Sequence, residues 1–390
     1  MTRGCSARDP GRTPVFSLHI DTAQTWRGGQ NQALLTVAGL HRRGHRVLLA
    51  AHADGELCRR AAGIVPTVPL AVRGELDLPA AWQLSRLLQQ ERPDLVHAHD
   101  PHGVAATVLA CSLANISPRP LLVASRRVDF HIRARAMSRL KYRQVDLFVA
   151  SSEAIRQMLI EDGIPANAVV TAHEGVDVER ILGVAPANIR EQFWLPPHAR
   201  IVGNIAALVP HKGQRYLVEA APRVLERVPE ARFLIFGEGE LQAAVERQIR
   251  EHHLDKHIVL AGFRKDVLAL LKAFDVFVLS SVTEGLGTSL LDAMAASRAI
   301  VATRTGGIPE VVEDGTNGLL VPPRNAAALA DAIVRLLTDD ELRERMGRAG
   351  LERVSERFSV DRMVEATLAA YQVALDRRRG AGTTSPEAGT

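Results

Sequence analysis

Two runs of the same alternation limit what this chain can fold into. Short β-branched or aromatic stretches are each followed by apolar residues at helical spacing. The first series predicts strands at Val15 to Ile20, Val47 to Ala50, Leu95 to Ala98, Leu121 to Ala124 and Leu147 to Ala150. Between them, Leu34, Leu35, Ala38 and Leu40 mark one helix and Leu84, Leu87 and Leu88 another. After Pro196-Pro197 the second series predicts strands at Ile201 to Ile205, Phe233 to Phe236, Ile258 to Ala261, Val276 to Leu279 and Ile300 to Ala302, with a helix from about Tyr216 to Val228. Strands that are apolar on both faces belong inside parallel sheets, and parallel strands need helical crossovers, which run right-handed. The pattern therefore predicts an α/β protein of two doubly wound units.

At 390 residues the chain is too long for one simple core and fits two domains. The expected division is a flexible tail over 1–14, a first Rossmann-like domain over 15–195, a second over 196–359, an amphipathic helix over 360–377 that returns to the first domain, and a disordered tail over 378–390. Aromatic residues are only 4%, which disfavours stacked nucleic-acid platforms, and 48 basic residues nearly cancel 44 acidic ones. No nucleic-acid partner is expected. The three cysteines, Cys5, Cys58 and Cys111, lack metal-ligand spacing and cannot all pair within the chain, which fits a reducing cytoplasm. The opening segment has no apolar core of a signal peptide, and no run approaches the ~20 apolar residues that span a bilayer.

The chemistry concentrates in Thr283-Glu284-Gly285-Leu286-Gly287-Thr288-Ser289-Leu290-Leu291-Asp292. A buried strand runs into a glycine loop and a helix start, where free N–H groups and the helix dipole favour an anion such as phosphate. Glu284 and Asp292 would face the crevice at the carboxyl end of the sheet, suited to the hydroxyls of a polyol. Ser289 and Asp292 also have the spacing of a capping box, in which the acid would serve only the helix start. Lys212, in His211-Lys212-Gly213, fits either a phosphate contact or a solvated turn. Gly237-Glu238-Gly239 begins a dinucleotide-type loop, but Gln242 stands where the third glycine would be, which disfavours a nicotinamide dehydrogenase.

Taken in order, Gly28-Gly29, HAHD at 97–100, SSEAIRQML at 151–159, EGVD at 174–177, VPHKG at 209–213, FGEGE at 236–240, GFRKDV at 262–267, TEGLGTSLLDAMA at 283–295 and GGIPEVVEDGTNGLLVPP at 306–323 resemble the retaining glycosyltransferases of family 4. The resemblance spans about Val15 to Leu375 and implies the GT-B fold, two Rossmann-like domains with a nucleotide-sugar cleft between them. It implies transfer of a hexosyl-type group from a nucleotide diphosphate-sugar to an acceptor hydroxyl, with retention, no divalent metal and no cofactor beyond the donor. Cell-envelope glycan or lipopolysaccharide synthesis is the broad setting, with a glycan or lipid-linked acceptor.

Carried over by motif, Glu284 takes the sugar hydroxyls and Lys212 the diphosphate. Gly28, Gly29, Gly239, Arg264, Gly285, Leu286, Gly287 and Thr288 join the donor site, with Gly306, Gly307 and Glu310 in a donor-side loop. The family's second Glu is Asp292 here, one methylene shorter, at the ribose. A second family cation is absent, since Ala206 and Ala207 occupy its place. On the acceptor side, His97 and His99 alternate along a strand, and His99 is the candidate to line the crevice. A family histidine aligns with Arg127, and His131 follows a few residues later; both remain candidates for the group facing the reacting sugar.

Two His and one Asp at 97–100 do not make a metal set, and no metal is expected. Arg126, Arg127, Arg133, Arg135, Arg139, Lys141 and Arg143 form either a solvated surface or a patch for an anionic acceptor or membrane surface, which would place the protein peripherally on the inner membrane face. Two alternatives stand beside the transferase: a sugar-nucleotide epimerase, and a non-catalytic carbohydrate-binding protein with a degenerate donor site.

Overall fold

The computed structural model describes residues 14–132 and 140–382. Two compact units emerge: one holds 1–174 together with 360–390, and the other holds 175–359.

The first unit is built on a seven-stranded sheet. Its strands are β1 (Phe16–Asp21), β2 (Arg46–Ala51), β3 (Thr67–Pro69), β4 (Leu95–Ala98), β5 (Leu121–Arg126), β6 (Leu147–Ala150) and β7 (Val169–Thr171), in the order β3-β2-β1-β4-β5-β6-β7. Every pairing is parallel. The sequence reversal between β1 and β4 is a switch point, where the crossover helices leave opposite faces and open a crevice at the strands' carboxyl ends. Register sets His19 of β1 beside His97 of β4.

One layer on this sheet comes from far along the chain. The helix Val360–Gly382 buries Met363, Val364, Leu368 and Tyr371 in the same core as Val37 and Leu40 of the helix Gly28–Arg42. Close packing depends on Gly39, because a Cβ there would overlap the Val364 side chain.

The second unit carries a six-stranded parallel sheet of β8 (Arg200–Ile205), β9 (Ala231–Phe236), β10 (Ile258–Gly262), β11 (Val276–Leu279), β12 (Ala299–Thr303) and β13 (Leu319–Val321), ordered β10-β9-β8-β11-β12-β13. Val276, Phe277, Val278 and Leu279 of β11 are all fully buried, as a central parallel strand covered on both faces requires. Both units are thus doubly wound, as their patterns predict.

Three expectations need correction. The division between the units falls after Glu174, earlier than 195/196, because Val176, Ile181 and Ile189 sit in the second unit's core and Val176 bridges to Ser359. The last helix continues to Gly382, past 377, while residues 383–390 lie outside the described residues. Of the basic cluster, Arg133, Arg135 and Arg139 also lie outside them. Lys141 is 8% exposed and donates to Glu75 at 2.6 Å, so it is no part of a solvated patch. No helix among the described residues is long and apolar enough to cross a membrane.

Candidate active site: a paired acid and lysine, and a histidine cluster

In the second unit, Lys212 and Glu284 meet. Lys212 Nζ lies 2.5 Å from Glu284 Oε2, which also accepts from Ser281 Oγ at 2.9 Å. Their side chains are 20% and 10% exposed, sheltered enough for the pairing to matter and open enough for a ligand to reach. Glu284 Oε1 has no hydrogen-bond partner among the described residues.

Backbone builds this geometry. The turn Pro210–Lys212 docks on the loop after β11 through His211 O, which accepts from Val282 N at 2.7 Å and Thr283 N at 3.4 Å. Gly213 follows with φ of +64°, and a Cβ there would run into Ser280 O. Gly306, at φ of +50°, presses against Glu284 O in the same way, so the loop after β12 buttresses the acid's main chain. Only glycine fits both demands, a left-handed backbone and a neighbour where a side chain would begin. Thr303 and Thr305 tie that loop down by donating to Ser281 O and Val282 O.

The helix Thr288–Ala295 starts from Gly287 at φ of +90°, with no side chain capping it. Ser289 and Asp292 therefore form no capping box. Asp292 lies fifth in the helix, and its carboxylate has no hydrogen-bond partner among the described residues. Burial pushes its pKa up to about 7, against a weaker downward pull from Arg180.

Other expected donor residues fall into different places. Leu286 is buried in the core, so only its main chain is available. Gly239 packs against Leu208 O, and the main chain of Leu208 bonds Glu238, which brings the Ala206–Ala207 loop against the loop after β9. Arg264 is committed to Asp266 at 2.6 Å and Gln192 at 2.9 Å. Ser281, missed in the sequence, has no motif to mark it.

In the first unit, Gly28 opens its helix and a Cβ at Gly29 would meet nothing within 4 Å, which leaves room at that helix start. His99 and Arg127 come together as expected, with Arg127 Nη2 3.2 Å from His99 Nδ1. Arg127 Nε pairs with Glu174 at 3.1 Å. Around them stand residues that sequence reasoning missed or left as structural: His19, 2.9 Å from His99, and His97, 2.5 Å from Tyr371 Oη and 2.8 Å from Ser125 Oγ. Desolvation drives all three imidazoles down, His19 to about 3 and the others well below the usual range, with the nearby Arg127 charge adding to the shift. Neutral imidazoles are metal ligands by nature, and these three could approach one ion. Each of the six ring nitrogens, however, already has a hydrogen-bond partner, and a guanidinium borders the group. That donor set does not fit a divalent ion.

Of two other groups in this unit, His131 was a candidate and Asp21 was unmarked. His131 stands apart: its side chain is 67% exposed and paired with Asp162 at 2.7 Å, with no contact to the His99–Arg127 group among the described residues. Asp21, at the end of β1, is raised to about 6, first by burial and then by Asp100, and Gln30 bonds it.

Two family models match the chain: "Glycosyltransferase Family 4" over residues 26–180 and "Glycosyl transferases group 1" over 187–353. The alpha-D-kanosaminyltransferase of Streptomyces kanamyceticus is 32% identical over 325 residues, covering 75% of this chain and 83% of that protein. The chain belongs to the family 4 glycosyltransferases. A more distant relative of this glycosyltransferase is the UDP-Gal:alpha-D-GlcNAc-diphosphoundecaprenol alpha-1,3-galactosyltransferase of Escherichia coli, 25% identical over 78% of this chain and 81% of that one. Among solved structures, Anabaena Alr3699/HepE in complex with UDP and glucose matches with a TM-score of 0.80 at 21% identity, covering 92% of this chain and 99% of that chain. That likeness establishes the GT-B fold of two Rossmann-like domains.

Proposed function

We propose that this glycosyltransferase moves a hexosyl-type group from a nucleoside diphosphate-sugar to a hydroxyl of a glycan or lipid-linked acceptor, with retention and without a divalent metal. The contact between Lys212 and Glu284 carries the reading, because it sets a cation and a carboxylate at one point on the carboxyl edge of the second sheet. The carboxylate's open oxygen suits sugar hydroxyls, and Asp292 suits the ribose. As the bond from the anomeric carbon to phosphate breaks, its electron pair passes to the diphosphate. Lys212 and the uncapped helix start at Thr288 would offset that charge. The acceptor oxygen bonds to the same face of the carbon and its proton passes to the departing diphosphate, so Glu284 orients hydroxyls and forms no covalent bond. On the acceptor side we assign Arg127 and His99, and no step to His131.

UDP is the first base to test, given the UDP complex of the Anabaena protein. The Escherichia coli relative points to lipid-linked acceptors in envelope synthesis, and so to work at the cytoplasmic face of the membrane. UDP release from UDP-glucose, UDP-galactose and UDP-N-acetylglucosamine should be followed with and without N-acetylglucosaminyl diphosphoundecaprenol, in EDTA. Acceptor-dependent release that survives EDTA is expected. Donor isomerisation without acceptor would replace the transferase by an epimerase, and release abolished by EDTA would remove metal independence.

A further inference from the structure

Transfer chemistry as proposed gives His99 a place on the acceptor side and leaves its buried neighbours His19 and His97 without a task. His19, His97 and His99 are 0%, 1% and 8% exposed, and their rings pack against one another.

Arg127 has only donors, so His99 Nδ1, 3.2 Å from Arg127 Nη2, must accept. A neutral His99 then carries its proton on Nε2 and donates to His19 Nδ1 at 2.9 Å. His19 in turn carries its proton on Nε2 and donates to Ser17 Oγ at 3.0 Å. The second branch starts at Tyr371, whose hydroxyl stays protonated because burial raises its pKa. His97 Nδ1 is the partner of that hydroxyl, so Tyr371 donates to it, His97 Nε2 donates to Ser125 Oγ at 2.8 Å, and Ser125 turns its proton to His99 Nδ1 at 3.4 Å. The reverse direction would set a His99 Nδ1–H against the Arg127 donor and leave the buried Tyr371 hydroxyl proton without an acceptor, both of which cost free energy.

Both branches make His99 Nδ1 an obligate acceptor. With Glu174 on Nε and His99 on Nη2, the guanidinium is held at two nitrogens. Arg127 Nη1 is buried without a partner, as is Ser151 Oγ, and both border a cavity of about 20 Å³.

We propose that His99 is a positioning residue for Arg127, and that His19, His97 and Tyr371 lock the tautomer that lets it act. The relay fixes the guanidinium of Arg127, whose side chain is 16% exposed, at the carboxyl edge of the first sheet for the acceptor. This rests on the acceptor-side role assigned above.

Two measurements test it. In selectively 15N-labelled protein, all three rings should show Nε2–H with an unprotonated Nδ1, and the Arg127 Nε–H signal, assigned by its loss in Arg127→Lys, should exchange slowly. His99→Gln and Tyr371→Phe should speed that exchange. For the donor and acceptor that turn over in the screen above, both variants should raise acceptor KM about tenfold with donor KM unchanged. His99→Gln should add nothing in an Arg127→Gln background. An Nδ1–H or doubly protonated His99, or an additive double variant, would overturn the positioning role. Unchanged acceptor KM in Arg127→Gln would overturn the acceptor-side reading itself while leaving the tautomers as they are.

Discussion

The two sheets end in carboxyl edges built by opposite means. At the second, glycines and main-chain contacts place one acid and one lysine; at the first, side chains from several strands and the last helix hold one another in a network. Gly213 and Gly306 fix the second edge through backbone that admits no side chain. The first depends on His19, His97, His99, Arg127, Glu174 and Tyr371, each bonded to another of the group. A backbone-built site tolerates few substitutions at a few positions, whereas a side-chain network spreads its dependence.

The sharpest way to break this contrast is to neutralise the second edge. Glu284→Gln and Lys212→Gln should each lower turnover by roughly 10²- to 10³-fold while each variant still folds and unfolds in a cooperative thermal transition. Near-normal turnover in either variant would move the chemistry away from this edge. Next in size, Gly213→Ala should cost about 2 kcal/mol or more, since it demands both a left-handed alanine and displacement of Ser280 O. Denaturant titration would show it, and a loss no larger than that of Gly29→Ala, where a Cβ meets nothing, would refute the backbone account.

Acidity separates the edges further. His19, depressed to about 3 with His97 and His99 also well below 6.5, remains uncharged when folded while the unfolded chain takes up protons, so their contribution is lost as pH falls from about 6.5 toward 3. Asp292, raised from 3.8 to about 7, has the reverse sign: its contribution is present below 3.8 and lost as pH rises to about 7. Asp21, raised to about 6, opposes its histidine neighbours over part of the range. The melting temperature of Asp292→Asn should therefore gain on the parent between pH 4 and 7; a constant difference would remove the buried-carboxyl assignment. The smallest effect is kinetic, a rise of a few fold in donor KM for Asp292→Asn, about one lost hydrogen bond.

How much of this was legible follows from the same contrast. Doubly wound architecture was readable because apolar runs such as Val276 to Leu279 are local, and Glu284 with Lys212 because each sits in a motif of fixed spacing. Glycine loops encode geometry in adjacent residues. His19 was not marked, since one histidine in an apolar strand has no local signature, and only register sets it beside His97. Tyr371 lies 274 positions from its partner His97. The boundary misplaced at 195/196 has a similar cause: Pro196-Pro197 is a strong local break, but Val176 and Ile181 reach the second core through contacts no local pattern shows.

The helix Val360–Gly382 gives the first unit an unusual biosynthetic history. Residues 175–359 must leave the ribosome between the first unit's strands and the helix that completes its core, so the second unit is a continuous segment made whole while the first still waits. At ~5–20 residues per second the delay is roughly 10–40 s. During that interval the sheet face meant for Val364 and Tyr371 is uncovered, a window in which a nascent chain is open to chaperone capture.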